Sequence, residues 1–165
     1  GIEIGVINPS LMRPFVIPIA VGSLSGFGYI AFLYLTSKRE KITQDIAFKN
    51  PFDLKEALLM GVVFGVTLAL IKLANLYAGE MGVYAIAFFS GFADVDAIIL
   101  SLSALAKNGL NPATAQHAIL LAIIANTVAK SGIVFFLGNA RLFRWVATYY
   151  LISVGSFTAT FLVMA

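Results

Sequence analysis

The sequence contains no cysteine and a single histidine, His117. The lack of cysteine excludes disulfides, thiolate metal sites and cysteine nucleophiles, and one histidine is too few for a histidine-based zinc or haem site. Charged residues are also scarce, at 12% of 165 residues, whereas a soluble domain has about 25%. Hydrophobic residues make up 60% of the chain. A soluble domain of this size cannot bury so much apolar surface, so the composition predicts an all-α protein surrounded by lipid.

Five apolar runs, each long enough to cross a bilayer as a helix, follow one another along the chain. They cover residues 9–35, 54–76, 81–106, 112–137 and 142–165. Short connections between most of these runs make sequential helices antiparallel neighbours. The sequence therefore predicts one domain, a polytopic transmembrane helical bundle with about five spanning helices. Because the first residue is Gly1 and not methionine, we expect a fragment of a longer membrane protein.

Three of these helices are predicted to start at an Asn-Pro pair. The pairs are Asn8-Pro9, Asn50-Pro51 and Asn111-Pro112. Asparagine is a favoured N-cap, and proline is favoured at the first helical position because its missing N–H has no helical partner there in any case. Each pair thus marks a helix start.

Lysine and arginine are spread over the connections between apolar runs, which argues against nucleic acid as a partner. If all five runs cross the membrane, six of these residues lie on the side of the connection 37–53 and four on the other side. Because basic residues are enriched in cytoplasmic loops, this connection is predicted to be cytoplasmic. The chain would then start outside the plasma membrane and end inside it.

The third apolar run carries two aspartates, Asp94 and Asp96, close to its middle. A carboxylate at this depth costs about 2.5–3.5 kcal/mol, so an acid inside the membrane is by default a functional hypothesis. Residues two apart on a regular helix point about 200° apart, and the pair can share a ligand only where the helix unwinds. We expect that break near Gly91, because glycine has no Cβ to penalise non-helical dihedrals.

The fourth run supplies polar side chains that could face these aspartates. Asn126 and Lys130 lie one turn apart, and Thr127 lies beside them. Oxygen ligands of this kind suit a proton or a hard cation such as Mg²⁺ or Na⁺ and need no cysteine or histidine. The predicted cation or proton site contains Asp94, Asp96, Asn126, Thr127, Lys130, Ser101 and Ser90, with Asp94 and Asp96 as the metal ligands.

A structural interpretation competes with this one. Lys130 could form a buried ion pair with Asp94 or Asp96 that fixes the helix register and transports nothing. The spacing of Gly22 with Gly26, and that of Gly61 with Gly65, is typical of closely packed membrane helices. No nucleophile and base form a recognisable constellation, so an enzyme is not expected.

Two segments carry a resemblance to a known family. They read SGFADVDAIILSLSALA, from Ser90, and AILLAIIANTVAKSG, from Ala118. This combination resembles the uncharacterised membrane domain that follows the MgtC/SapB-like domain in many bacterial and archaeal proteins. The matching positions are Ser90, Gly91, Asp94, Val95, Asp96, Ala97, Leu100, Ser101, Asn126, Thr127, Lys130 and Gly132. The resemblance implies a multipass protein of a prokaryotic cell membrane, in a family that is grouped with transporters.

The leading hypothesis from the sequence is therefore a membrane domain that binds or conducts a small cation, or couples its movement to protons. Its expected partners are the lipid bilayer, the cation, and either a second copy or additional upstream helices. No cofactor other than a bound cation is expected. The alternative is a structural or regulatory membrane module that transports nothing, in which the aspartates and Lys130 form the ion pair.

Overall fold

The computed structural model describes residues 2–36 and 54–164. This part of the chain forms six α-helices and no strand, as the all-α prediction required. The helices are α1 (Ile2–Ile7), α2 (Pro9–Thr36), α3 (Leu54–Ala93), α4 (Val95–Lys107), α5 (Pro112–Leu137) and α6 (Ala140–Met164). Within these described ranges, four segments are long and apolar enough to cross a membrane, namely Pro9–Thr36, Leu58–Ala93, Pro112–Leu137 and Ala140–Met164. The protein is an integral membrane protein built as a helical bundle.

The helix starts follow the Asn-Pro pairs that the structure describes. Asn111 caps α5, and its side-chain oxygen accepts a hydrogen bond from the backbone N–H of Ala113 at 3.0 Å. Asn8 separates α1 from α2, and its side chain accepts hydrogen bonds from Ser10 and from the N–H of Leu11. The predicted start at Asn50-Pro51 lies outside the described residues.

The helix boundaries in the predicted second and third apolar runs, residues 54–76 and 81–106, differ from the expected ones. The structure joins them in α3, which is interrupted only at Gly79, where φ is 59° and ψ is −146°. A positive φ of this size is a conformation that glycine adopts readily and other residues avoid. A Cβ on Gly82 would lie 2.6 Å from the carbonyl oxygen of Ala74, although residues eight apart in a straight helix are separated by about 12 Å. The second part of α3, residues 80–93, therefore folds sharply back towards the first part.

The helix break that we expected near Gly91 is at Asp94. Asp94 has φ −152° and ψ 117° and forms the N-cap of α4. Its carboxylate takes the place of a missing helical carbonyl, because it accepts a hydrogen bond from the N–H of Asp96 at 2.8 Å. Gly91 itself stays helical and serves close packing, since a Cβ there would lie 2.6 Å from the carbonyl oxygen of Ala122 on α5.

Helices α2 and α6 pack antiparallel along a seam of small and aromatic residues. A Cβ on Gly22 would lie 2.9 Å from the Cβ of Phe157, and the hydroxyl of Ser153 donates to the carbonyl oxygen of Gly22 at 2.9 Å. Near the start of α2, the ring of Phe15 stacks on that of Phe161 near the end of α6, with centroids 5.0 Å apart. The start of α2 and the end of α6 thus lie at the same end of the bundle. For residues 9–164, this packing differs from the expectation that the chain starts and ends on opposite sides of the membrane.

Helix α5 lies at the centre of the bundle and packs against α3, α4 and α6. Its alanines at 115, 118 and 122 are completely buried, which lets neighbouring helices approach closely. Large apolar side chains cover the outside of the bundle, as a surface in contact with lipid requires. Gly61 and Gly65 do not pack against another described helix, because a Cβ at either position would meet no atom within 4 Å. The close packing predicted for these two glycines is therefore not found in the described part of the chain.

Candidate functional site

The break at Asp94 lies at the level of the middle of α5. The side-chain amide of Asn126 donates a hydrogen bond to the carbonyl oxygen of Gly91 at 3.0 Å, three residues before the break. Asn126 is buried and stands near the midpoint of α5 (Pro112–Leu137). The break therefore lies at the level of the middle of a helix that is long enough and apolar enough to cross a membrane.

The two aspartates at the break have different surroundings. Asp94 is half-buried, and one of its carboxylate oxygens accepts the capping hydrogen bond from the N–H of Asp96. Its second oxygen accepts no hydrogen bond from any described residue. The side chain of Asp96 is exposed and likewise has no hydrogen bond or ion pair within the described ranges. Both residues therefore offer carboxylate oxygens that are free to accept a proton or a cation.

A third carboxylate, that of Glu3, lies close to this pair. Helix α1 packs on α4, with Ile4 buried in the core and Glu3 half-buried beside it. Burial raises the pKa of Glu3 above its ordinary value, and the nearby charges of Asp96 and Asp94 raise it further. We did not select Glu3 from the sequence, although one acid in the otherwise apolar stretch GIEIGVIN is a recognisable signal.

These carboxylates do not form a ready-made metal cage. Among residues 2–36 and 54–164, no three acidic or histidine side chains are close enough to hold one metal ion together. Any cation at this position would need further oxygen ligands, such as backbone carbonyls or water.

The structure does not form the predicted ion pair with Lys130. Lys130 is exposed and has no hydrogen bond or ion pair within the part of the chain that the structure describes. It lies one turn beyond Asn126 along α5, on the same face of the helix. The structural interpretation, in which this lysine neutralises an aspartate in a buried pair, is not supported by the geometry.

The neutral residues of the predicted site are divided between the break and other surfaces. Ser90 is half-buried on the turn before the break, and its carbonyl oxygen accepts a hydrogen bond from the N–H of Asp94 at 2.9 Å. Ser101 is completely buried two turns into α4, where its hydroxyl donates to the carbonyl oxygen of Phe64 at 3.4 Å. Thr127 donates to the carbonyl oxygen of Ile123 and lines a groove between α5 and α6.

The predicted set therefore separates into two groups. Asp94, Asp96, Ser90 and Asn126 lie at or next to the break, whereas Ser101, Thr127 and Lys130 form no contact with the aspartates that the structure records. Sequence spacing placed Asn126 and Lys130 on one face of α5. It could not show that Asn126 alone of these residues is turned towards Gly91.

The ends of two helices meet at the break and set its electrostatics. The last carbonyl groups of α3 carry partial negative charge, and the first N–H groups of α4 carry partial positive charge. Carbonyl oxygens at the end of one half-helix can coordinate a cation, while the N-terminus of the next helix stabilises ionised carboxylates. Asp94 and Asp96 occupy the N-cap and the first turn of α4, where that stabilisation is strongest.

Comparison with known proteins gives one relative of known source and a family. An uncharacterised protein of Aquifex aeolicus (strain VF5) is 32% identical to this chain over 141 residues. The match covers 82% of this chain and 60% of the relative, so the chain spans about three fifths of that protein's length. No solved structure matches the chain significantly. Residues 1–138 match the family described as a domain of unknown function (DUF4010), and the chain belongs to this family.

Proposed function

We propose that this protein binds a small cation or a proton at the break between α3 and α4 and moves it across the membrane. The observation that carries the proposal is the position of Asp94 and Asp96. Both lie at a helix break that is hydrogen-bonded to the middle of a spanning helix. A carboxylate at that depth costs about 2.5–3.5 kcal/mol and is uncommon without a function. Broken helices at mid-membrane depth form the ion sites of many secondary transporters.

Within this proposal, Asp94 and Asp96 are the proton acceptors or metal ligands, and Asn126 holds the break in place. Glu3 places a third carboxyl group close to Asp96. The cation could be Mg²⁺, Na⁺ or a proton, since carboxylate and carbonyl oxygens accept all three. No catalytic residue and no organic cofactor are part of the proposal.

The exposed carboxylate of Asp96 also supports a partner. A charged group at mid-membrane depth faces either protein or water and not lipid. We therefore propose that a second copy of this chain, or additional helices, covers this surface. We also propose that the protein is related to the domain that follows MgtC/SapB-like domains, as the sequence resemblance implies, and that it lies in a prokaryotic cell membrane.

The alternative function is a membrane module that transports nothing, in which Asp94 serves only to start α4. The capping hydrogen bond from the N–H of Asp96 to Asp94 is the observation that favours this alternative. An Asp94→Asn substitution separates the two functions, because asparagine caps a helix as well as aspartate does but carries no charge.

The test is uptake of Mg²⁺, Na⁺ and H⁺ by liposomes that contain the wild-type chain, Asp94→Asn or Asp96→Asn. The proposal expects flux in the wild type and at least a tenfold loss in both variants, with their folding unchanged. Glu80→Gln is the matched control, because Glu80 bonds Thr114 in the first turn of α5, about three helical turns away from the break. Undiminished flux in both aspartate variants contradicts a role of Asp94 and Asp96 in transport, and no flux of any of the three ions in the wild type contradicts transport itself. Either result favours the capping role.

A further inference from the structure

The polar and small-residue contacts of α3 and α4 with α5 fix the direction of both segments in the membrane. Glu80, at the start of the second part of α3, is hydrogen-bonded to the hydroxyl of Thr114 in the first turn of α5. Gly91, eleven residues later, contacts Ala122 and accepts a hydrogen bond from Asn126. The second part of α3 therefore runs parallel to α5, from its first turn to its middle.

Helix α4 returns to the same end of α5. It begins at Asp94, at mid-depth, and ends at Lys107. Only residues 108–111 separate Lys107 from Pro112, and the N–H of Leu110 turns back to bond the carbonyl oxygen of Leu105 at 3.0 Å. Residues 80 and 107 are thus both close to the start of α5.

Neither segment is long enough to cross the membrane alone. Residues 80–93 and 95–107 make 14 and 13 helical residues, or roughly 20 Å each at 1.5 Å per residue. The hydrocarbon core is about 30 Å thick. The break between them contacts the middle of α5 and does not reach its end.

We infer that residues 80–107 form a re-entrant hairpin, which enters and leaves the membrane on the same side and has Asp94 and Asp96 at its tip. A re-entrant segment at this depth must be buried in protein, because lipid cannot satisfy its free backbone groups. The hydrogen bond from Asn126 to Gly91 and the capping bond of Asp94 satisfy two of these backbone groups. The inference concerns topology and does not depend on whether the tip binds an ion.

The hairpin explains why the start of α2 and the end of α6 lie at the same end of the bundle. Four segments cross the membrane, and the 81–106 run returns without crossing. Lys107 is then on the same side as the end of α6. The end of α2, the start of α3 and the start of α6, with Arg141 and Arg144, are on the other side, and the sequence between α2 and α3 contains four lysine or arginine residues. By the enrichment of basic residues in cytoplasmic loops, that second side is cytoplasmic.

The chain has no cysteine, so a single introduced cysteine is a unique site for chemical labelling. Tyr77→Cys and Lys107→Cys flank the hairpin at exposed positions, Met164→Cys marks the end of α6, and Ala140→Cys marks the opposite end of the bundle. Each variant is treated in sealed right-side-out and inside-out vesicles with a membrane-impermeant maleimide. We expect Tyr77→Cys, Lys107→Cys and Met164→Cys to be labelled from outside, and Ala140→Cys from the cytoplasmic side.

Labelling of Tyr77→Cys and Lys107→Cys from opposite sides would overturn the inference, since residues 81–106 would then cross the membrane as a broken helix. A second measurement is independent of vesicle orientation. Spin labels on the double variant Tyr77→Cys/Lys107→Cys should be less than about 25 Å apart, the distance across two or three neighbouring helices. A 26-residue crossing would separate them by roughly 39 Å.

Discussion

A methyl group added at Gly91 is the most direct test of how the hairpin tip is held against α5. The Cβ of Gly91→Ala would lie 2.6 Å from the carbonyl oxygen of Ala122 and 2.9 Å from its Cα. Carbon atoms in contact are normally about 3.5–4.0 Å apart. Both colliding atoms belong to the backbone, so no side-chain rotation can relieve the overlap. The two helices must separate by about 1 Å, which also lengthens the 3.0 Å hydrogen bond from Asn126 to Gly91.

The expected cost follows from three contributions. Overpacking costs about 1–3 kcal/mol, and a weakened interhelical hydrogen bond in a membrane protein costs about 0.6 kcal/mol. The higher helix propensity of alanine offsets about 0.5–1 kcal/mol of this destabilisation. We therefore expect Gly91→Ala to lower the free energy of unfolding by about 2 kcal/mol, or about 30-fold in the unfolding equilibrium constant.

Unfolding by SDS in mixed micelles, followed by circular dichroism and by the fluorescence of Trp145, the single tryptophan, measures this change. Gly65→Ala is the matched control, because a Cβ at Gly65 meets nothing within 4 Å. It should leave stability unchanged or raise it by up to about 1 kcal/mol. If Gly91→Ala and Gly65→Ala unfold at the same SDS fraction, the close contact between α3 and α5 is refuted.

Three further predictions concern other parts of the bundle. Gly22→Ala should destabilise the α2–α6 seam by about 1–3 kcal/mol in the same SDS assay, because its Cβ would lie 2.9 Å from α6. Gly28→Ala meets no neighbour and, like Gly65→Ala, should leave stability unchanged or raise it by up to about 1 kcal/mol. Asp94→Ala should lower stability by about 1 kcal/mol through loss of the cap, and Asp94→Asn should restore it; equal stability of the two variants would contradict the capping role. Since the pKa of Glu3 is raised by burial and by its acidic neighbours, its contribution to stability is complete below the ordinary glutamate pKa and is lost as pH rises through the raised value. Glu3→Gln should flatten the decrease in stability that sets in as pH rises above the ordinary glutamate pKa, and an unchanged pH profile would contradict the proximity of Glu3 to the aspartates.

The sequence predicted the fold class and most helix limits because composition and capping are local properties. The scarcity of charged residues predicted a membrane bundle. Asn111 caps α5, as expected of an asparagine that precedes a helix. The direction of a segment after a turn depends on contacts between residues that are distant in the sequence. A hydropathy pattern does not show these contacts. The 81–106 run is as apolar as a full span, so only the contacts of Glu80 and Gly91 with α5 show that it turns back.

Two features of the candidate site differ from the sequence expectation: the break lies three residues after Gly91, and Lys130 does not pair with the aspartates. Glycine was chosen as the break because it tolerates any backbone conformation, yet in a membrane its smallness is needed more often to let helices touch. Gly91 allows α3 to approach α5 closely. The break lies instead at Asp94, whose side chain accepts a hydrogen bond from an exposed N–H group at the start of α4. Lys130 was chosen as the partner of the aspartates because a buried negative charge needs compensation. The N-terminus of α4 supplies part of that compensation through its dipole, and it acts directly on the carboxylates of Asp94 and Asp96. A carboxylate held in this way keeps an oxygen free, whereas an ion pair with lysine would occupy it, and a free oxygen is what binding a proton or a cation requires.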